Sequence, residues 1–197
     1  MKNIALQRQS QKMLEHYGEF ASHMLTLTMR DKTPIQTARQ RSALTGCHAD
    51  RWNISDYAAR QAVRHFIVSL NYKIYGRKSS KPATRSKCRI IAIPIIEGLR
   101  SYKRVHVHFL LGNIPLSEIP TLETIIRETW KKCNVGMPNM KLDSLHDVDG
   151  AAYYLVKEVG YVNDDAIDWN IASIPSVLHT PPRRLCVQTL LAAIKSV

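Results

Sequence analysis

The sequence contains no CxxC pair. Its four cysteines, Cys47, Cys88, Cys133 and Cys186, lie far apart along 197 residues. That spacing argues against a zinc cluster and against a disulfide framework, and predicts reduced thiols as in a cytosolic protein. Long apolar runs are missing too. Nothing is long enough to span a bilayer, and the opening MKNIALQRQSQKMLEHYGEF lacks a secretory signal core, so a soluble cytoplasmic chain with no membrane partner is expected. There is no GxxxxGK[ST] and no internal repeat, so no ATP-driven motor is expected within the chain. Acidic residues are scarce: 16 Asp and Glu face 28 Lys and Arg, a net charge of +12. Such an excess favours a polyanion, nucleic acid ahead of an acidic membrane surface, for which no long cationic amphipathic helix stands out.

What is present suffices for one domain with a small appendage. At 45% hydrophobic, the chain needs neither disulfide nor structural metal to fold. Residues 1–20 read as a polar arm or helix. Within ASHMLTLTMR, Leu25 and Leu27 alternate with Thr26 and Thr28, the pattern of a half-buried strand. In NISDYAARQAVRHFIVSLNYKIYG, Ser55 is a candidate N-cap, Ala59, Val63, Phe66, Leu70 and Ile74 share one face, and Gly76 follows, which predicts a helix of about five turns. CRIIAIPIIEG and RVHVHFLLG read as a hairpin, with Pro94 calling for an edge position or a bulge. PTLETIIRETWKKC reads as a helix capped by Thr121, MKLDSL as a fourth strand, and DVDGAAYYLVKEVGY as a helix that Gly160 ends. LCVQTLLAAIKSV reads as an apolar C-terminal helix. The fold class is therefore α+β, an antiparallel sheet with flanking helices, most economically ferredoxin-like.

Side chains two apart on a strand share a face, so His106 and His108 point one way while Val105, Val107 and Phe109 enter the core. Paired neutral imidazoles are a usual holder of a divalent metal; two polar residues on a solvated face is the competing reading. Glu97 closes the preceding strand, and a short hairpin returns the chain so that it lies across from the histidines. Together the three form a site for Mn²⁺ or Mg²⁺ with positions left for water and a phosphate oxygen. Alone, Glu97 could equally pair with Arg100 or Lys103.

In AAYYLVKEVGY, Tyr154 and Lys157 are three apart and share a helix face. A phenol needs help to act as a nucleophile near neutral pH. A metal-polarised phosphodiester and the Lys157 ammonium would supply it. Tyr153, about 100° round the helix, is assigned to packing, although it is four residues from Lys157 and remains the alternative. Tyr161 is a second nucleophile only if the helix continues past Gly160. Ordinary amphipathic packing is the bland reading of all three.

HVHFLL at His106 to Leu111 resembles the histidine–hydrophobe–histidine motif of the HUH endonucleases, and YLVK at Tyr154 to Lys157 resembles their single-tyrosine YxxK motif. LTLT at Leu25 to Thr28 is similar to the first motif of rolling-circle replication initiators, with Met24 where the family usually has an aromatic residue. Glu97 matches their third metal ligand. The resemblance covers roughly residues 20–165, all four elements in order. It implies an RRM-like nickase domain over 21–165, followed by a tail over 166–197 that packs on the domain or on a partner. It implies site-specific nicking of single-stranded DNA through a 5′-phosphotyrosine at Tyr154, with a divalent metal held by Glu97, His106 and His108.

The implied partners are single-stranded DNA at a replication origin, which a hairpin can present, and a host helicase and DNA polymerase; a homodimer is one arrangement that the apolar C-terminal segment allows. A single-tyrosine transposase of the same superfamily and a catalytically idle DNA-binding protein are the other readings. For DNA backbone contact, Arg77, Lys78, Lys81, Arg85 and Lys87 form a basic segment that reads as a flexible loop, and Arg100, Lys103 and Arg104 sit in the hairpin beside the proposed metal. Arg60 and Arg64 are expected to extend a basic helix face. Trp52, Tyr57 and Tyr102 are candidates for base stacking.

Overall fold

In a computed structural model of the chain, which describes residues 3–30, 54–99 and 104–176, a four-stranded antiparallel sheet carries helices on both faces. The strands are β1 (Ala21–Met29), β2 (Ile91–Glu97), β3 (His106–Gly112) and β4 (Gly136–Ser144), and the helices are α1 (Ile4–Gly18), α2 (Asp56–Tyr75), α3 (Leu122–Lys131) and α4 (Val148–Leu155). Spatial order is β2-β3-β1-β4. With α2 linking β1 to β2 and α3 linking β3 to β4, this is a ferredoxin-like βαββαβ arrangement preceded by α1 and followed by α4.

Alternation along the strands sorts the core into two layers. Leu25, Leu27, Met29, Val107, Phe109 and Leu111 face α2 and α3, where Phe66 packs against Phe109 and edge-on against Trp130. On the other face Ile91, Ile93, Ile95 and Leu110 meet Met13, Leu14 and Tyr17 of α1 and Ala152 and Leu155 of α4. Strands β2 and β3 are thus covered on both sides, which accounts for their nearly unbroken apolar runs.

The hydroxyl of Ser55 accepts the Ala58 N–H and caps α2 as expected, and all five periodic apolar residues of that helix are buried. Thr121 stands at the cap of α3, but its hydroxyl instead donates to the Glu118 carbonyl. The chain enters α3 from a 3-10 turn over Leu116–Thr121, so Thr121 already has near-helical backbone angles and its side chain is turned back. The first segment is a helix that belongs to the second core layer.

Pro94 lies on an edge strand. Outward-facing N–H groups of Ala92 and Ile96 donate to Ser173 and Ala166, and Pro94 falls between them, where its carbonyl accepts from Asp168. A segment with only two isolated bridges, Ala92 to Ser173 and Ile95 to Ile167, therefore covers the exposed edge. Arg60 fastens it, pairing with Asp168 at 2.7 Å and with Asp56 at 2.9 Å. Arg60 is thus engaged within the fold, contrary to its expected place on an open basic face.

Among the described residues no helix is long and apolar enough to cross a membrane. The C-terminal helix expected at 185–197, and Trp52, Arg100, Tyr102 and Lys103, lie outside the described residues.

Candidate metal centre

β1, β2 and β3 bring their polar residues together at one end of the sheet, on the face of α1 and α4. Glu97 is paired directly with His106 in the β2–β3 ladder, and His108 is paired across β1 with Thr26. One oxygen of Glu97 and one nitrogen from each histidine lie within 4.8 Å of one another, a grouping that can hold a metal ion. His106 Nε2 is 3.1 Å from Glu97 Oε2, and His108 Nε2 is 3.6 Å from Glu97 Oε1.

The second ring nitrogens explain this aim. His106 Nδ1 is 3.0 Å from the Arg104 carbonyl, which can only accept, so Nδ1 carries a hydrogen. His108 Nδ1 is held 2.9 Å from the Thr26 hydroxyl. Both imidazoles therefore turn Nε2 toward Glu97, the arrangement by which outer partners fix metal-binding histidines. His108 is 4% exposed and Glu97 1%, so a pair of polar residues on a solvated strand face does not describe the site.

Two atoms test the fit to a cation. Glu97 Oε1 and His108 Nε2 are both buried without a hydrogen-bond partner, and at 3.6 Å they face each other at more than bonding distance. Buried donors and acceptors are ordinarily satisfied, and a metal ion between a carboxylate oxygen and an imidazole nitrogen would satisfy both. The donor set of two imidazoles and one carboxylate suits a divalent cation.

Burial alone would raise the Glu97 carboxyl. Hydrogen bonds from His106 and Lys157, with the His108 ring beside it, outweigh burial and hold it well below the carboxylate range. His106 is raised, mainly by its hydrogen bond to Glu97. Lys157 Nζ lies 2.9 Å from Glu97 Oε2. Among the described residues, Lys157 takes the role that sequence reasoning offered to Arg100 or Lys103.

Tyr154 stands over this group, its ring 5.7 Å from the His108 ring and beneath the Lys157 ammonium at 3.7 Å. α4 supplies it, starting where Asp147 accepts the Gly150 N–H and packing by Ala152 and Leu155. The helix stops at Leu155, earlier than the expected end at Gly160, and Lys157 N–H reaches back to the Tyr154 carbonyl in a tight turn. Gly160 has its role further on, at φ 72°, where its carbonyl accepts the Asn3 N–H and ties α1 to the turn after α4. Tyr161 is therefore not on the helix of Tyr154. Tyr153, assigned above to packing, is 72% exposed, because α4 buries the opposite face; Tyr154 is 46% exposed and Tyr161 71%.

The basic residues separate into two places. Arg104 stands two residues before His106, at the Glu97 end of the sheet, with its carbonyl 3.0 Å from His106 Nδ1. Arg77, Lys78, Lys81, Arg85 and Lys87 precede β2 and so lie at its opposite end, about 20 Å from Glu97 along the strand. That segment is built of hydrogen-bonded turns rather than a featureless loop, with Lys81 and Arg85 N–H groups bonded to the Arg77 and Lys81 carbonyls and the Thr84 hydroxyl donating to Lys78. Tyr57, a stacking candidate, is exposed at the start of α2, on the sheet face away from Tyr154.

Sequence reasoning missed two residues here. Thr26 was legible as part of LTLT, but not as the partner of His108. Glu158 is buried and accepts the Gly98 N–H, holding the turn just after Glu97; nothing in its local pattern distinguishes it from a surface glutamate. No family model, curated protein or solved structure shows a significant match to the chain.

Proposed function

We propose that this chain is a metal-dependent endonuclease of the HUH type that nicks single-stranded DNA through Tyr154, so beginning rolling-circle replication of a small mobile element. The observation that carries the reading is the convergence of Tyr154 and Lys157 on the buried Glu97, His106 and His108 cluster. A structural cluster would need no exposed phenol beside it.

A divalent cation bound there, Mn²⁺ or Mg²⁺, would draw charge from the non-bridging oxygens of a phosphodiester. Tyr154 Oη attacks the phosphorus. The Oη–P bond forms as the bond from phosphorus to the 3′ oxygen breaks; the phenol gives up its proton and the departing oxygen becomes a 3′-hydroxyl. The product is a 5′-phosphotyrosine, which a later 3′-hydroxyl can attack to reseal a strand without ATP. Lys157, already against the Tyr154 ring, places positive charge beside the phenolate and the phosphate. Arg104 guides the strand toward the site, and the net charge of +12 supplies general affinity for DNA.

Incubation with single-stranded origin DNA and Mn²⁺ tests this on a denaturing gel. A protease-sensitive protein–DNA band and a shortened strand with a free 3′ end are expected. Tight DNA binding with no cleavage under any divalent metal would leave a binding protein instead.

A further inference from the structure

We infer that Lys157 is the placeholder of the metal site, its ammonium neutralising Glu97 in the metal-free protein and yielding that carboxylate when a cation arrives, so that metal occupancy and release of Lys157 from Glu97 to Tyr154 alone are one event. The inference rests on the metal reading of Glu97, His106 and His108 and goes beyond it by making the partners of Lys157 depend on the metal.

The geometry points this way from three sides. Glu97 is 1% exposed, and a buried carboxylate without a counter-charge is strongly disfavoured. Among the described residues, Lys157 Nζ is the nearest cationic atom to it, at 2.9 Å from Oε2. His106 Nε2 holds the same oxygen at 3.1 Å. Oε2 is thus already engaged by two nitrogens, while Oε1 faces His108 Nε2 with neither satisfied. A dication bound by all three side chains must share Glu97 with an ammonium at contact distance, and two cations on one carboxylate repel.

Lys157 already has a second partner. Its ammonium is 3.7 Å from the centre of the Tyr154 ring, and a cation over an aromatic face is attracted to it. The lysine follows the end of α4 in a turn, its backbone N–H bonded to the Tyr154 carbonyl, so its side chain can leave Glu97 without unwinding the helix. Loss of the Glu97 contact leaves the ammonium beside the phenol. The positive charge next to the nucleophile is then free of its carboxylate partner only when the metal is bound, which disfavours attack at an unloaded site.

Calorimetric titration of Mn²⁺ alone into the full chain, without DNA, tests this. Lys157→Met, which removes the charge and keeps much of the stem, is expected to bind Mn²⁺ about tenfold more tightly, within the usual range for coupling between two ligands of one site. The rise in melting temperature produced by Mn²⁺ should be larger in that variant than in the parent, because the metal-free form has lost its counter-charge. Lys157→Arg, which retains a cation, should stay near parental affinity. Lys141→Met, on the neighbouring strand, should also stay there, which separates contact at Glu97 from general charge repulsion.

Equal or weaker Mn²⁺ binding in Lys157→Met, with binding abolished by His108→Ala, would overturn the inference and leave the metal site standing. Tightening by Lys141→Met as large as by Lys157→Met would overturn it too. Absence of Mn²⁺ binding in the parent and in every variant would overturn the metal reading itself. If Lys157→Met does not fold, Lys157→Gln serves the same comparison with the same outcomes.

Discussion

The hydroxyl of Thr26 lies 2.9 Å from Nδ1 of His108, across the β1–β3 ladder and 82 residues away in sequence. It gives the LTLT segment a physical role: the leucines enter the core and the first threonine aims an imidazole.

Thr26→Val keeps the shape and removes the hydroxyl. The His108 ring then loses its anchor, and metal affinity should fall by about 10- to 100-fold, as for other outer partners of metal-bound histidines. Thr28→Val, one position along the same face, should change it far less. Titration of Mn²⁺ into each variant makes the comparison.

Acid should destabilise the metal-free protein through Glu97. Its folded carboxyl is held below its ordinary value of 4.5, so the stabilisation is present above that value and is lost as pH falls toward the folded one. His106 gives the other limb of the same contact. Its folded value is raised above 6.5, so that contribution is complete below 6.5 and is lost as pH rises through the folded value. Melting temperature of the metal-free protein against pH should therefore form a dome, and Glu97→Gln should flatten both sides.

Gly160→Ala should destabilise the fold by about 2 kcal/mol or more. The residue has φ 72°, and a methyl group there would meet the Asn3 carbonyl at 2.2 Å, so backbone strain and a clash add. Urea denaturation measures the loss. Because the junction joins α1 to the turn that carries Lys157, cleavage should fall with it.

The two basic regions should separate in experiment. Neutralising Arg77, Lys78 and Lys81 together, at the far end of β2, should weaken DNA binding and shallow its salt dependence while leaving the cleavage rate of bound DNA near parental. Arg104→Gln, beside His106, should lower the cleavage rate more than it lowers affinity. Fluorescence anisotropy at several salt concentrations, with single-turnover cleavage, reads both.

Much of this was legible in sequence because it depends on local spacing. Period-two alternation put His106 and His108 on one face, period 3.6 marked the buried side of α2, and Pro94 marked an edge. What was not legible depends on partners distant in the chain. The Asp168 pairing of Arg60 needs the tail to run along β2. The length of α4 was overread because YYLVKEVG has no strong helix breaker before Gly160, whereas the real end at Leu155 is set by the turn that brings Lys157 over Tyr154 and Gly160 to Asn3. Exposure of Tyr153, expected to pack, follows from α4 burying Ala152 and Leu155, which local spacing does not reveal.

The most direct measurement is peptide mapping by mass spectrometry of the protein after reaction with single-stranded origin DNA and Mn²⁺, followed by nuclease trimming of the adduct. The account predicts a nucleotide 5′-phosphate on Tyr154 and none in Tyr154→Phe. A modified Tyr153 or Tyr161, or cleaved DNA with no tyrosine adduct, would contradict it.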